Sequence, residues 1–225
     1  MIELRHLTTG YKRDHPILED QNVCFDEGKV YAIVGESGCG KTTLLRTIAG
    51  LTKALAGDVI VDGNRYKTAT KSPVYMMHQN YTSFDWLTCI DNILITKKIQ
   101  HQPISKVDME NAMDLLKQVG LEDKAEKYPK QLSGGQKQRL ALARTLFTNP
   151  RYILMDEPFS ALDSNTRQSM QRLVQKHHMA TKNTILMVTH SIEEAKLMSD
   201  SIITFEEKEM KIHGIFSENR IGRAD

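Results

Sequence analysis

The chain has 225 residues, with 30 basic and 28 acidic side chains that leave a formal charge of +2. This length fits one domain with a substantial core, and the balanced charge does not favour a binder of nucleic acid or other polyanions. No apolar run approaches the length of a membrane span, and the first residues are not a signal peptide. Three cysteines, Cys24, Cys39 and Cys89, show no metal-ligand spacing, so we expect a protein of the reducing cytosol.

The first third of the chain reads as short strands around a glycine-rich loop, with Gly28-Lys29 forming a turn before that loop's strand. A helical pattern opens at Thr43, directly after the loop. Strand-like runs are predicted at 2–4, 23–25, 30–34, 59–63 and 74–77.

Helical and strand patterns alternate through the rest of the chain. A helix is predicted near 164–179, between the buried-strand runs 152–155 and 184–188. This alternation predicts an α/β fold with a mainly parallel sheet and helices on both faces. A further helix over 108–119 is predicted to bury one amphipathic face, formed by Met109, Ala112, Met113, Leu115, Leu116 and Val119.

The loop after the 30–34 strand matches the pattern G-x-x-x-x-G-K-[ST]. Placed between a strand and a helix, it aims consecutive backbone N–H groups and a positive helix end at a polyphosphate. Lys41 is predicted to reach the terminal phosphates, and the Thr42 hydroxyl to bind Mg²⁺. The predicted nucleotide-binding residues here are Gly35, Glu36, Ser37, Gly38, Cys39, Gly40, Lys41, Thr42 and Thr43.

A second glycine-rich segment precedes a strong helix-forming run at 137–144. It therefore presents another helix N-terminus to an anion. A Gly-Gly hinge before a helix is the structural alternative. The segment consists of Leu132, Ser133, Gly134, Gly135 and Gln136.

With both motifs in place, the whole chain resembles the ATP-binding-cassette (ABC) ATPase family. The resemblance implies a phosphate-loop NTPase core with a mainly parallel sheet, an N-terminal antiparallel β subdomain and an inserted helical subdomain. We expect a single domain over 1–225, with the core at about 1–85 and 150–225 and the helical subdomain at about 86–149. It also implies ATP hydrolysis, with ATP and Mg²⁺ bound.

Asp156 and Glu157 close the apolar run 152–155. A carboxylate at the end of a buried strand is well placed to hold Mg²⁺, so Asp156 is the predicted metal ligand. Glu157 is predicted to be catalytic by polarising the attacking water. The structural alternative is an acidic pair that ends a strand and caps a turn before Pro158.

Histidine 190 follows the 184–188 strand, where the family has a switch histidine that contacts the γ-phosphate; His190 is therefore the third catalytic candidate, with Glu157 and Lys41. The other histidines, including the pair His177-His178, are expected to be solvated. Cys39 is expected to serve as a small side chain that fits the loop, although its thiol would be exposed without nucleotide.

Three further roles rest on the resemblance. Gln79, at the end of the 74–77 run, matches the glutamine that completes the Mg²⁺ and water shell. Ser160 and Asp163 lie in a segment like the D-loop that crosses between protomers; Asp163 could also cap the next helix. Tyr11 resembles the aromatic residue that stacks on adenine, with packing in the core as its alternative.

The resemblance also implies partners. The glycine-rich loop at 35–42 is the family's phosphate loop, and the second glycine-rich segment at 132–136 is its signature. One of each per chain implies a homodimer or a paired cassette, because each signature covers ATP held by the opposite phosphate loop. Family docking of integral membrane permease subunits falls at about 80–92, where Tyr81, Phe84, Trp86 and Leu87 form either an apolar groove or subdomain core. The chain is then expected on the inner face of the cell membrane.

Residues 156–163 resemble the importer branch, and Trp86, Leu87 and Thr88 with Asp91-Asn92 resemble cassettes for nitrate, sulfonate and taurine uptake, although Asp85 replaces their usual proline. An importer also implies a solute-binding protein. The alternative is an exporter or a regulatory ATPase of the cell-division or lipoprotein-release class. A DNA-repair ATPase would carry a long coiled-coil insertion, and a translation factor would usually carry a second cassette; the sequence shows neither feature. No C-terminal regulatory domain is expected after 202–212.

Overall fold

The computed structural model describes residues 1–11, 15–66, 73–78, 83–206 and 209–214, the last stretch and 205–206 as backbone only. They form two compact units, one from 1–72 with 185–225 and the other from 73–184. In the described ranges no helix is long and apolar enough to cross a membrane.

The first unit contains an antiparallel sheet of four strands, β1 (Ile2–Thr9), β2 (Leu18–Phe25), β4 (Ala56–Val61) and β5 (Asn64–Arg65). Their order in the sheet is β2-β1-β4-β5. The interior strand β1 alternates buried residues with more exposed ones, as expected when one face of a sheet is packed. The register pairs Ile2 with Phe25 on one side and with Val61 on the other.

The same unit contains a mainly parallel sheet built around β3 (Val30–Val34), whose five residues are all buried. Parallel neighbours β8 (Thr184–Thr189) and β9 (Ser201–Glu206) flank it, and β10 (Glu209–Gly214) pairs antiparallel with β9. A strand buried on both faces reads as a continuous apolar run, which is why the sequence pattern found it. Helices α1 (Lys41–Ile48) and α6 (Ile192–Met198) follow β3 and β8.

The second unit pairs β6 (Val74–Met77) in parallel with β7 (Tyr152–Asp156). Between these strands, three helices pack against one another, and a further helix follows β7. Two short 3₁₀ turns, Glu122–Lys124 and Pro129–Gln131, lead into the third helix. The helices are α2 (Cys89–Ile99), α3 (Lys106–Gln118), α4 (Gly134–Thr148) and α5 (Ser164–Thr181).

The predicted apolar face of α3 is narrower than expected. Ala112, Leu116 and Val119 are fully buried, whereas Met109 is 42% exposed. The first turn of α3 is held by polar contacts instead: Ser105 and Asp108 form a capping box, and Asp108 pairs with Lys97 at 3.1 Å. Met109 therefore does not belong to the core.

The prediction that His177 and His178 are solvated is wrong. His178 is buried, and its Nδ1 lies 2.9 Å from the Asn183 carbonyl oxygen. His177 is half-buried, and among the described residues its Nε2 has no hydrogen-bond partner. Burial, reinforced by neighbouring His178, lowers the pKa of His177. Both histidines lie on the last turns of α5, and Asn183, which bonds His178, lies between α5 and β8.

Candidate active site

The glycine-rich loop joins β3 to α1 as the sequence predicts. Gly38 and Gly40 both have left-handed backbones, with φ of +84° and +104°. A Cβ at Gly40 would lie 1.9 Å from Cγ2 of Ile17. Both the backbone angle and this contact therefore require glycine where the loop enters the helix.

Lys41, the first residue of α1, is 5% exposed. Its Nζ donates to the Gly35 carbonyl at 2.8 Å and to the Glu36 carbonyl at 2.6 Å, and lies 3.8 Å from Sγ of Cys39. Both acceptors are neutral carbonyls, so these bonds hold the loop curled without neutralising the ammonium charge. The loop thus combines a helix N-terminus with a fixed cation, which fits a polyphosphate.

Tyr11 does not pack in the core, because 75% of its surface is exposed. Its hydroxyl accepts a hydrogen bond from Thr43 Oγ1 at 3.2 Å. Thr43 is buried in the first turn of α1. The aromatic ring is therefore tethered beside the phosphate-loop helix with surface available for stacking.

His190 emerges beside the phosphate loop. In the parallel pair β3–β8, Val34 is opposite Thr189, and the next residues are Gly35 and His190. The His190 side chain is exposed, whereas Thr189 is buried. Thr189 Oγ1 bonds Glu194 and accepts from the Ser191 N–H at 3.1 Å, which fixes the turn that carries His190.

In the second unit, Asp156 ends the fully buried strand β7 and is itself 2% exposed. Glu157 follows, half-buried, with a left-handed backbone at φ +50°. Such a conformation costs a non-glycine residue about 1–3 kcal/mol and persists only where neighbours enforce it. Here the Glu157 carbonyl accepts hydrogen bonds from Gln138 Nε2 at 3.0 Å and Ser160 Oγ at 3.2 Å.

The second glycine segment begins α4, with Ser133 as its N-cap. Ser133 Oγ accepts from the Gln136 N–H at 3.3 Å, and Gln136 Oε1 accepts from the Ser133 N–H at 2.9 Å. Leu132 is buried, whereas a Cβ at Gly134 would meet no described atom within 4 Å. The helix start is therefore anchored on one side and open on the other.

The segment 160–163 shows a structural role for Asp163. Its carboxylate caps α5 by accepting from the Thr166 N–H at 3.1 Å, as one of the two predictions for this residue proposed. Hydrogen bonds from the hydroxyl of Thr166 and then from its backbone N–H lower the pKa of Asp163. Asp163 and Ser160 both remain exposed.

Part of the docking region predicted at 80–92 falls outside the described residues, as do Gln79 and Tyr81. Trp86 is 73% exposed, and its ring meets Phe84 edge to face at 5.3 Å. The guanidinium of Arg144, on α4, lies over the Phe84 ring, 5.6 Å from the ring centroid. Trp86 is therefore a surface residue, while Phe84 links it to α4.

Sequence reasoning missed two buried amides. Asn92 is fully buried; its Oδ1 accepts from the Phe84 N–H, and its Nδ2 donates to the carbonyls of Phe84, Leu87 and Thr88 at 2.9–3.1 Å. Gln138, also fully buried, bonds the loop that follows β7. A polar residue on an otherwise apolar helix face was the only sequence signal for either.

The ABC transporter family model matches residues 18–160, more than half of the chain. The chain belongs to the ABC transporter family. The predicted family and the predicted α/β ABC ATPase fold are thus confirmed, and the residue roles within the cassette remain proposals.

Three of the relatives that this cassette resembles are named as import ATP-binding proteins. It is 40% identical to the taurine import protein TauB of Roseobacter denitrificans over 92% of this chain and 76% of the relative. It is 38% identical to the aliphatic sulfonates import protein SsuB of Zymomonas mobilis over 84% and 76%. It is 40% identical to the spermidine/putrescine import protein PotA of Haemophilus ducreyi over 90% of this chain, but spans only 55% of that relative.

Solved structures agree with the fold. The cassette matches a dimeric structure of the bacterial ABC transporter cassette MJ0796 with a TM-score of 0.86 and 30% identity, covering 96% of this chain and 99% of the other. A dimeric post-hydrolysis state of MJ0796 bound to ADP and Pi matches with a TM-score of 0.85 at the same identity and coverage.

Proposed function

We propose that this chain is the ATP-hydrolysing motor subunit of an ABC importer. The observation that carries the proposal is the buried Lys41 ammonium, curled over the phosphate loop by two neutral carbonyls at the start of α1. A buried cation that is bonded here only to neutral carbonyls, at the N-terminus of a helix, suits a triphosphate better than a structural role.

The residues act on ATP in distinct ways. The loop residues 35–43 bind the phosphates, and exposed Tyr11 stacks on the adenine. Glu157 acts as general base toward the attacking water, a role that contributes about 10²–10⁴-fold to rate. His190 donates to the γ-phosphate and orients that water. The loop backbone, Lys41 and the hydrogen bond from His190 supply the positioning and charge stabilisation on which phosphoryl transfer depends.

Mg²⁺ is the proposed cofactor, with Thr42, Asp156 and Gln79 as the residues that hold it. Asp156 suits this role because it is a carboxylate at the carboxyl end of the parallel strand β7, the end at which such sheets bind ligands. When bound, the ion neutralises charge on the phosphates. Asp156 is thereby distinguished from Glu157, whose half-buried carboxylate is proposed to act on water.

We propose that two copies, or this chain and a second cassette, bind ATP head to tail. The open, capped start of α4 at Ser133 and Gly134 is the surface that would cover ATP held by the opposite phosphate loop. The dimeric state of MJ0796 in both structural matches supports this assembly. ATP then joins the two copies, so nucleotide binding and dimerisation strengthen each other equally.

Import is favoured over the exporter or regulatory alternative because the named relatives carry import names for taurine, aliphatic sulfonates and spermidine/putrescine. A solute-binding protein is proposed as a further partner. Integral membrane permease subunits are the proposed direct partners, and exposed Trp86 with Phe84 is the proposed contact. The cassette would then lie on the inner face of the cell membrane.

Two variants test the motor. Glu157→Gln should bind ATP, form ATP-dependent dimers and lose about 10²–10⁴-fold in turnover. Ser133→Arg should bind ATP but neither dimerise nor hydrolyse it, because a large cation would occupy the proposed interface. ATP binding is measured directly, dimerisation by the mass from light scattering, and hydrolysis by the release of phosphate.

Matched controls exist in the same unit. Ser105 is also an exposed N-cap serine with a capping box, so Ser105→Arg controls for the helix-cap change. Exposed Glu126→Gln controls for the loss of a carboxylate. A fully active monomer, or parental turnover by Glu157→Gln, would contradict the proposal.

A further inference from the structure

Gln138 joins the signature helix to the loop that carries Glu157. It lies on α4, two residues beyond the signature, and its side chain is 0% exposed. Nε2 donates to the Glu157 carbonyl at 3.0 Å, and Oε1 accepts from the Ala161 N–H at 3.0 Å. One carboxamide thus satisfies a backbone acceptor and a backbone donor at the two ends of segment 157–161.

The backbone that Gln138 holds is unusual. Glu157 has φ +50°, a conformation that needs enforcement by its surroundings. Ser160 closes the turn by donating to the same carbonyl, from its N–H at 3.3 Å and its Oγ at 3.2 Å. Ser160 belongs to the turn itself, so of these donors only Gln138 ties it to another element.

A second contact joins the same two elements. A Cβ at Gly135 would lie 3.0 Å from the Ala161 carbonyl oxygen and 3.4 Å from Cδ2 of Leu162. The first turn of α4 therefore packs directly against the backbone that Gln138 bonds. Displacing the start of α4 would strain both hydrogen bonds of the carboxamide.

We propose that Gln138 is a positioning residue for ATP hydrolysis, which fixes the left-handed backbone of Glu157 and makes it depend on the position of the signature helix. This inference rests on the proposed role of Glu157 as general base. In the proposed head-to-tail dimer, α4 covers the partner's ATP while Glu157 serves its own copy's ATP. Gln138 is then a link between the two nucleotides.

Gln138→Met keeps the length of the side chain and removes both hydrogen bonds. We expect kcat to fall about 10- to 100-fold, the usual cost of misplacing a catalytic group by about an ångström. The Kd for ATP and its KM should stay within about twofold of the parent, because Gln138 is not part of the phosphate loop. Gln171→Met, on α5, controls for the loss of a buried glutamine in the same unit.

Gln138→Glu supplies a second readout, the pH dependence of kcat relative to the parent, which should not change if Gln138 has only a structural role. The introduced carboxylate can accept from Ala161 but cannot donate to the Glu157 carbonyl, whereas its protonated form can do both. Burial raises the pKa of such a group. The kcat of Gln138→Glu relative to the parent should therefore rise as pH is lowered from about 9 to about 6.

The outcomes separate this inference from the proposed function. Parental kcat in Gln138→Met, or a flat relative kcat in Gln138→Glu, would overturn the positioning role even if Glu157→Gln is inactive. Parental turnover by Glu157→Gln would instead show that Glu157 is not the general base, which contradicts the proposed function. If Gln138→Met fails to fold, as judged by circular dichroism, the pH profile of Gln138→Glu decides alone.

Discussion

Val34 and Thr189 lie opposite each other in neighbouring parallel strands, so the phosphate loop and His190 leave the sheet at the same edge. Parallel α/β sheets bind ligands at the carboxyl ends of their strands. The two candidate groups therefore occupy one edge, although Lys41 and His190 are 149 positions apart in the sequence. This register fixes the place of His190 more firmly than sequence spacing could.

Replacing His190 should impair turnover without impairing binding. His190→Ala is expected to lower kcat about 10²–10³-fold, the usual cost of one missing donor to developing charge, while the Kd for ATP changes little. Steady-state phosphate release and equilibrium ATP binding measure the two effects. Exposed His101 is the control, changed to asparagine because its backbone is left-handed at φ +54°. Equal losses in both variants would show that His190 has no special role.

Alkylation of Cys39 should report nucleotide in the loop. Cys39 is half-buried with its Sγ 3.8 Å from Lys41 Nζ, so bound phosphates are expected to slow its modification about tenfold or more. Exposed Cys24 should react equally with and without ATP. Buried Cys89, whose pKa burial raises to about 11, should react only after unfolding. Mass spectrometry distinguishes the three; ATP protection of Cys24 rather than Cys39 would argue against this nucleotide site.

Acidification should destabilise the fold through His177. Because burial lowers the pKa of folded His177 below the ordinary histidine value of about 6.5, the unfolded chain binds the proton first. The stability contributed by neutral His177 is thus complete above about pH 6.5 and is lost as pH falls from there toward the folded pKa. His177→Gln should flatten this loss in urea unfolding at about pH 7.5 and 5.5. An unchanged pH dependence relative to the parent would show that His177 does not titrate differently on folding.

Asn92 should be essential for the loop that presents Trp86. Asn92→Ala removes four hydrogen bonds to the backbone of 84–88 and is expected to cost about 2–4 kcal/mol of unfolding free energy. Exposed Asn165→Ala, in the first turn of α5, controls for the substitution. Denaturant unfolding of both variants provides the comparison, and a loss below about 0.5 kcal/mol at Asn92 would refute the loop role.

Local patterns predicted the strands and the helix starts because their causes are local. Continuous apolar runs identified β3, β7 and β8, and Asp163 was named as a possible helix cap, which the structure contains at the start of α5. The phosphate loop was predicted from sequence for the same reason, because its glycines are required by the backbone angles of the loop itself.

The missed features depend on partners distant in sequence. Gln138 bonds residues 19 and 23 positions away, and its place on an apolar helix face does not reveal those partners. His178 is buried and bonds Asn183 in the turn between α5 and β8, a contact that the sequence of α5 alone does not predict. Met109 has the spacing of a core residue, but the first turn of α3 is held by polar caps. Tertiary packing decides each of these cases.

Ile17 occupies the volume that any side chain at position 40 would need. Trimming Ile17 would relieve that clash, yet the backbone angle at Gly40 would still reject every other amino acid. A genetic screen for suppressors of Gly40→Ala should therefore recover true revertants rather than compensating changes at position 17. The backbone angle and the contact with Ile17 restrict position 40 independently, so no single substitution at a neighbouring residue can compensate for the loss of Gly40.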